Sequence, residues 1–312
     1  MIEMGMKQQA ASAGMLHRFK PRKETVYGYG MAAPAILGFL IFTLGPLLVS
    51  LFLSFTDYSI TNDYTIIGWD NYERLFTGAD SFFYKSLFVT FYYVILAVPV
   101  SLLAAFAMAL LLSKNVKGKA VFRAIFYVPS IVPIVATSTI FIWLLNPDIG
   151  LFNQILKFLH LPTSMWIYDE ATVIPSMALM NVWTVGGTML IFLAGLESIP
   201  DQYYEAVDID GGGLWRKLTA VTLPMMTPTI FFNLIMGIIN GFQSFSEAYI
   251  MTEGGPNNAS LFYVVYLYRE AFANQRMGSA SAIAWVLFII ILVLSIIVFR
   301  SSKSWVYYEG EK

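Results

Sequence analysis

Residues 205–224 read EAVDIDGGGLWRKLTAVTLP. The stretch carries five charged side chains, Glu205, Asp208, Asp210, Arg216 and Lys217, between two long apolar runs. The flanks suit hydrocarbon. The island suits water or a soluble partner. This contrast decides how the rest of the chain is read.

Of 312 residues, 57% are hydrophobic and 12% are charged. Soluble domains carry roughly 25% charged residues, so the deficit points to a bilayer as solvent. The net charge of −1 says little, because the placement of the charges matters more than their sum. The absence of cysteine excludes disulfides and thiolate metal sites. The two histidines, His17 and His160, lie in separate polar segments. A histidine-based metal or catalytic cluster needs several convergent ligands, so no metal site and no catalytic residue is assigned.

Six segments are long and apolar enough to cross a hydrocarbon layer of roughly 30 Å, which takes about 20 residues. They lie near 30–55, 86–112, 122–145, 171–195, 225–247 and 279–300. The first is too long for a cleavable signal, and no small-residue cleavage site follows it. Lysine and arginine set the orientation. With the N-terminus in the cytoplasm, fourteen of the 19 fall inside, in the N-terminal tail, the loops around 114–123 and 216–217, and the C-terminal end. The other five, Arg74, Lys85, Lys157, Arg269 and Arg276, fall outside. The expected fold is an all-α polytopic membrane protein with six transmembrane helices and a cytoplasmic loop between spans 4 and 5. A basic cytoplasmic tail covers 1–29, the membrane domain 30–300 (with its loop at 196–224), and a C-terminal cytoplasmic tail 301–312. Prolines in or beside the spans, such as Pro99 and Pro133, predict bent helices whose freed carbonyls are satisfied by neighbours.

Within the island, Glu205 and Ala206 open a short helix. Gly211, Gly212 and Gly213 end it, since glycine readily takes the left-handed conformation found past helix ends. Leu214 to Val221 reads as a second short helix with Leu214, Trp215 and Leu218 on one face, and Leu223-Pro224 starts the next span. Two short helices at a sharp angle make a stiff knob suited to transmitting force. An amphipathic helix lying on lipid headgroups is the competing reading, and the residues alone leave both open.

The positions Glu205, Ala206, Gly211, Leu223 and Pro224 fit the pattern E-A-A, three residues, Gly, nine residues, Ile-x-Leu-Pro, with Val207 and Val221 as departures. The chain thereby resembles permease subunits of binding-protein-dependent ABC importers. Asn181-Val182-Trp183, residues 251–256 (MTEGGP), residues 266–272 (YLYREAF) and Met277-Gly278 extend the likeness over roughly 30–300, toward the carbohydrate-uptake branch and its maltose-type first permease subunit. The resemblance implies that the loop is a coupling helix docking on a separate ATP-hydrolysing subunit, with Glu205, Ala206, Asp210, Gly211, Leu223 and Pro224 as its coupling residues. It implies three partners: a second, homologous permease, a dimeric ATP-binding subunit, and an extracellular sugar-binding protein. The chain has no G-x-x-x-x-G-K-[ST] phosphate loop. No cofactor is expected on it, and ATP with Mg is used by the partner.

The fifth span is the most polar. Asn240, Ser244 and Glu247, spaced by four and three, share one helix face. A sugar needs donors and acceptors to replace its water, and aromatic faces to stack on. Gln243, Trp183, Phe242 and Phe245 are candidates beside that face. By resemblance, Gly237, Asn240, Gly241 and Ser244, with Thr184, Val185 and Thr188 of the fourth span, fall where the family contacts sugar. The competing reading is packing, with Gly237 and Gly241 as a small-xxx-small pair and the amides and hydroxyls as glue between helices. For Glu247, the roles of sugar acceptor, gate, proton site and water-facing interfacial acid stay open. The alternatives are an ABC importer permease for a non-sugar solute and an ion-coupled secondary transporter, but the latter favours internal repeats and discontinuous helices, and the sequence offers no repeat. A third alternative, a membrane-embedded enzyme, needs clustered ionisable groups at depth, which the chain lacks.

Overall fold

The computed structural model describes residues 23–113 and 117–307. The basic tail through Arg22, Lys114 and Lys312 lie outside the described residues. The described residues fall into two compact units, divided between Phe52 and Leu53.

The first unit holds α1 (Lys23–Phe39), a π-helical turn (Leu40–Leu44) and α2 (Gly45–Leu53), whose last residue opens the second unit. Within them Tyr27–Leu53 is a span of 27 residues. Its exposed side chains include Leu37, Ile41 and Phe42, as expected for a helix apolar on every side.

Among its described residues, the regular elements of the second unit are helices, with two isolated bridges, Thr56 to Ile66 and Ser59 to Arg276. After α3 (Asp70–Phe76), its central helix is α4, Ser81–Ser113. At 33 residues α4 measures about 50 Å, longer than the roughly 30 Å of hydrocarbon it must cross. One core gathers around its first half, with Phe83, Tyr93, Met177 and Phe262, and a second around its last turns, with Ala105, Ala109, Met189 and Phe192.

Two spans are broken. The third consists of α5 (Lys119–Ile131) and α6 (Ile134–Leu144), bent by 97°. Pro133 explains the bend: it has no N–H to continue the ladder, and it drives Val132 to an extended ψ of 131°. After α7 (Leu151–Phe158), the fourth span consists of α8 (Val173–Trp183) and α9 (Gly186–Glu197), bent by 52°. No proline stands there. Thr184 donates its hydroxyl to the Asn181 carbonyl at 3.1 Å, a local bond that competes with the helix ladder. Just past the break, Gly186 lets α5 press close: a Cβ there would lie 2.3 Å from the Phe126 carbonyl oxygen.

The island contains α10 (Asp201–Ile209) and α11 (Leu214–Lys217). α11 is not a separate knob. It passes through a π-helical turn (Leu218–Thr222) into α12 (Leu223–Phe242), so one helix runs from Leu214 to Phe242 over 29 residues. The expected start at Leu223-Pro224 is corrected to Leu214. Proline favours helix starts, but here Pro224 directly follows the π turn, whose last bond runs from the Leu223 N–H to the Leu218 carbonyl, and the helix continues through it. The far end is corrected too: the helix stops at Phe242, and α13 (Ser246–Thr252) begins after a break.

α14 (Tyr263–Tyr268), a third π turn (Arg269–Ala273) and α15 (Met277–Trp305) complete the chain. Counting each broken pair as one span gives six. Between the fifth- and sixth-span helices, Leu261, Phe262 and Tyr263 have no exposed surface.

Candidate functional site: a membrane cavity and its connecting loop

The last turns of α4, the end of α9 and the start of the long fifth-span helix meet at one end of the bundle, where Leu110, Ser113, Leu196 and Trp215 line one groove. The island projects there. α10 ends in a Schellman arrangement: Gly212 N–H donates to the Val207 carbonyl at 2.8 Å and Gly211 N–H to Asp208 at 3.0 Å. Gly211 stands at φ +72°, and a Cβ on Gly212 would meet Val207 Cγ1 at 2.5 Å, so both glycines are required by the turn. Lys217 Nζ reaches Asp208 at 2.7 Å, and the Tyr204 and Thr222 hydroxyls bond at 3.1 Å. These contacts tie α10 to the long helix. The tip presents Ile209 at 87% exposure and Leu214 and Trp215 at 76% each, an apolar cluster in a polar loop. Glu205, Ala206, Asp210 and Gly211 are exposed around it, whereas Leu223 and Pro224 lie within the helix beyond the π turn.

Deeper in the bundle is a cavity of about 230 Å³. Each of its helices contributes one stripe at helical spacing: Tyr93, Ala97 and Ser101 from α4; Asn181, Thr184, Val185 and Thr188 from the fourth span; Asn233, Gly237, Asn240 and Gly241 from α12. Ser244 and Glu247 follow from beyond the end of α12. The Ser101 hydroxyl is buried without a hydrogen-bond partner among the described residues, a costly state for a polar group unless something else meets it. Asn233, by contrast, donates to the Thr229 carbonyl at 2.8 Å within its own helix.

At the end of the cavity away from the island, two pairs of side chains are linked. Asn181 Nδ2 donates to the Tyr93 oxygen, and Ser244 donates to Glu247 Oε1.

A profile described as binding-protein-dependent transport system inner membrane component matches residues 97–304. The chain belongs to that family. Among its curated relatives is the probable ABC transporter permease protein YesP of Bacillus subtilis, 41% identical over 93% of this chain and 95% of the relative. The arabinooligosaccharides transport system permease protein AraP of the same organism is 33% identical over 97% and 95%. A chain in the crystal structure of a bacterial alginate ABC transporter, in complex with an alginate pentasaccharide-bound periplasmic protein, shares the fold at TM-score 0.79 and 23% identity, over 91% of this chain and 96% of that one.

In this inner-membrane component the structure brings Asn240, Ser244, Glu247, Gly237, Gly241, Thr184, Val185 and Thr188 to one cavity, and leaves out two other residues expected there. Trp183 is 59% exposed and faces Phe141 across 6.4 Å; one residue before the break, it points away from the face that Asn181 and Thr184 share. Gln243 is exposed and caps α12, its N–H bonding Asn240 at 3.2 Å. The proposed stacking rings are also elsewhere: Phe242 is buried against Phe91 and Phe245 stacks on Tyr249. The aromatic side chain in the cavity is Tyr93, which the sequence reading missed together with Asn181 and Ser101 as wall residues. A tyrosine midway along an apolar span was the available signal, since its hydroxyl must find a partner there. Gly237 and Gly241 serve packing as well: a Cβ on either would press on Val98 or Val94 of α4, at 2.9 and 3.0 Å.

Proposed function

We propose that this chain is one of two permease subunits of an ATP-driven importer that moves a sugar, an oligosaccharide by its relatives, through the cavity by alternating access. The observation that carries the mechanism is the unbroken helix from Leu214 to Phe242. It begins at the exposed loop and forms the cavity wall with Asn233, Gly237, Asn240 and Gly241. Closure of an ATPase dimer on ATP pushes the loop through Glu205, Ala206, Asp210 and Gly211, with Ile209, Leu214 and Trp215 as apolar anchors. Asp208–Lys217 and Tyr204–Thr222 keep the loop from absorbing the displacement. The wall then moves with the loop.

Lysine and arginine placement supports a cytoplasmic N-terminus, C-terminus and loop. The relatives' names support the carbohydrate class: AraP is named for arabinooligosaccharides, and the structural neighbour for alginate. The wall chemistry agrees, with Asn240, Ser244, Thr184, Thr188 and the partnerless Ser101 offering donors and acceptors. At about 230 Å³ the cavity is smaller than the roughly 300–1,000 Å³ of small-molecule pockets. A homologous second permease completing the wall accounts for the difference. An extracellular binding protein delivers the sugar, and ATP with Mg acts on the ATPase.

The test is ATP hydrolysis by the reconstituted complex of both permeases, ATPase and binding protein, against a panel of oligosaccharides. Stimulation by one sugar class is expected. A flat response from a fully assembled complex would refute the carbohydrate assignment.

A further inference from the structure

The connection between the third and fourth spans lies at the end of the bundle away from the coupling loop. Lys119, at the start of the third span, bonds Glu197, at the end of the fourth, at 2.7 Å, so the chain between those spans turns at the opposite end. It leaves α6 without slack. Asn146 Oδ1 accepts from the N–H groups of Asp148 and Ile149 at 2.9 and 3.0 Å, and a Cβ on Gly150 would lie 2.5 Å from the Leu144 carbonyl oxygen. α7 therefore starts at the height of the last turn of α6, which carries Trp143.

α7 turns an amide inward and its aliphatic side chains outward. Asn153 is buried and fully bonded: Nδ2 donates to the carbonyls of Pro147 and Ser164 at 2.8 and 2.9 Å, and Oδ1 accepts from the Ser164 N–H at 3.1 Å and the Trp166 Nε1–H at 2.8 Å. These four bonds fix the rotation of the helix. Leu151, Ile155 and Phe158, spaced by four and three, form one stripe on the exposed side, with Phe158 82% exposed. Gln154 and Lys157, also exposed, run along one flank of that stripe. A helix on a water-facing surface shows the reverse, with its polar face out and its apolar face in.

Taking the coupling loop as cytoplasmic, we propose that α7 is an interfacial helix that seats the Leu151, Ile155 and Phe158 stripe in the lipid of the outer leaflet, with Lys157 reaching the headgroup phosphates. Three observations select lipid over a protein partner. The stripe follows directly on the exposed apolar strip of a membrane span, Val135, Ile140 and Trp143 of α6, and Trp143 stands at the end of that span, where indole rings prefer to sit. The stripe offers no side-chain donor or acceptor, whereas protein interfaces carry about one hydrogen bond per 100–200 Å². A lysine flanking phenylalanine and aliphatic side chains is the make-up of helices that lie in the interface plane. The anchor is tied to the fourth span: Asn153 holds Ser164 and Trp166, and the Thr172 hydroxyl, just before α8, donates to the Trp166 carbonyl at 2.6 Å. α8 is thereby held at a fixed depth, while α9, beyond the bend at Thr184, follows the coupling loop.

The chain contains no cysteine, so a nitroxide can be attached at Ile155→Cys, Phe158→Cys, Gln154→Cys or Lys157→Cys, one at a time, all at exposed positions that the fold tolerates. Each variant, in the full importer with cysteine-free partner chains, is reconstituted in vesicles of phosphatidylethanolamine and phosphatidylglycerol. Collisions with oxygen, which concentrates in hydrocarbon, are compared with collisions with a water-soluble nickel chelate. The logarithm of the oxygen-to-nickel ratio is expected to be positive at 155 and 158 and negative at 154 and 157. Negative values at all four positions would overturn the proposal and leave the helix in water, open to the binding protein. Immobilised labels at 155 and 158 that neither reagent reaches would overturn it in favour of burial against the second permease. The same signs are expected with the ATPase trapped by ATP and vanadate, and loss of the oxygen preference on trapping would overturn the fixed depth. No sugar enters the readout, so failure of the carbohydrate assignment leaves this result untouched.

Discussion

Asn240, Ser244 and Glu247 reach one cavity by different routes. On a continuous helix their spacing of four and three would put them on one face, but α12 ends at Phe242. Ser244 lies in the turn and Glu247 in the first turn of α13, a mutual hydrogen bond joins them, and both line the cavity. The residue types were legible because a polar side chain in an apolar span must have a partner or a ligand. The directions were not. A helix turns by about 100° per residue, so Trp183 and Gln243, each one position from a wall residue, face elsewhere. Glu247→Gln is expected to lower uptake about tenfold, the scale of one hydrogen bond to a charged group, with assembly unchanged. Uptake by vesicles, normalised to copurified complex, measures it, and wild-type uptake would count against any role for this carboxylate.

At the scale of elements, glycines mark where helices end and where they touch. Gly211 occupies a left-handed position and donates its N–H to Asp208, two things proline is unable to do. Gly211→Pro is expected to uncouple the subunit: ATPase activity continues without sugar stimulation, uptake is lost, and the protein still inserts. Normal sugar-stimulated ATPase together with full uptake would contradict it. Gly186 and Gly187 form an internal control. A Cβ at 186 would strike backbone atoms of Phe126 and Tyr127, whereas one at 187 meets nothing within 4 Å. Gly186→Ala is expected to cost about 1–3 kcal/mol by overpacking and to lower the thermal midpoint of the purified complex, while Gly187→Ala leaves it near wild type. Of the span breaks, the 97° bend at Pro133 was readable, because proline disrupts a helix through fixed covalent chemistry. The 52° bend at Thr184 was not, since it rests on one hydroxyl choosing a carbonyl.

At the scale of the whole molecule, the proposed lever predicts where the energy enters. Uptake should collapse when the phosphate-loop lysine of the partner ATPase is replaced, and should persist in ATP-loaded vesicles whose proton gradient has been dissipated. Radiolabelled-sugar uptake under the two conditions separates this from an ion-coupled carrier, which shows the opposite pattern. The sequence by itself determined that the chain crosses a membrane, close to where it does so, and which polar loop stands apart. Each of these depends on composition along the chain, because a bilayer admits backbone only with its hydrogen bonds satisfied locally. The family pattern in residues 205–224 was equally local. Only the tertiary structure decided that α11 and α12 are one lever, that residues 261–263 are buried in the core, and that Tyr93, Asn181, Ser244 and Glu247 meet. Those groups come from three parts of the chain, up to 154 positions apart between Tyr93 and Glu247. Their meeting depends on helix rotation, bend and close packing between spans, none of which is written in the periodicity of any one segment.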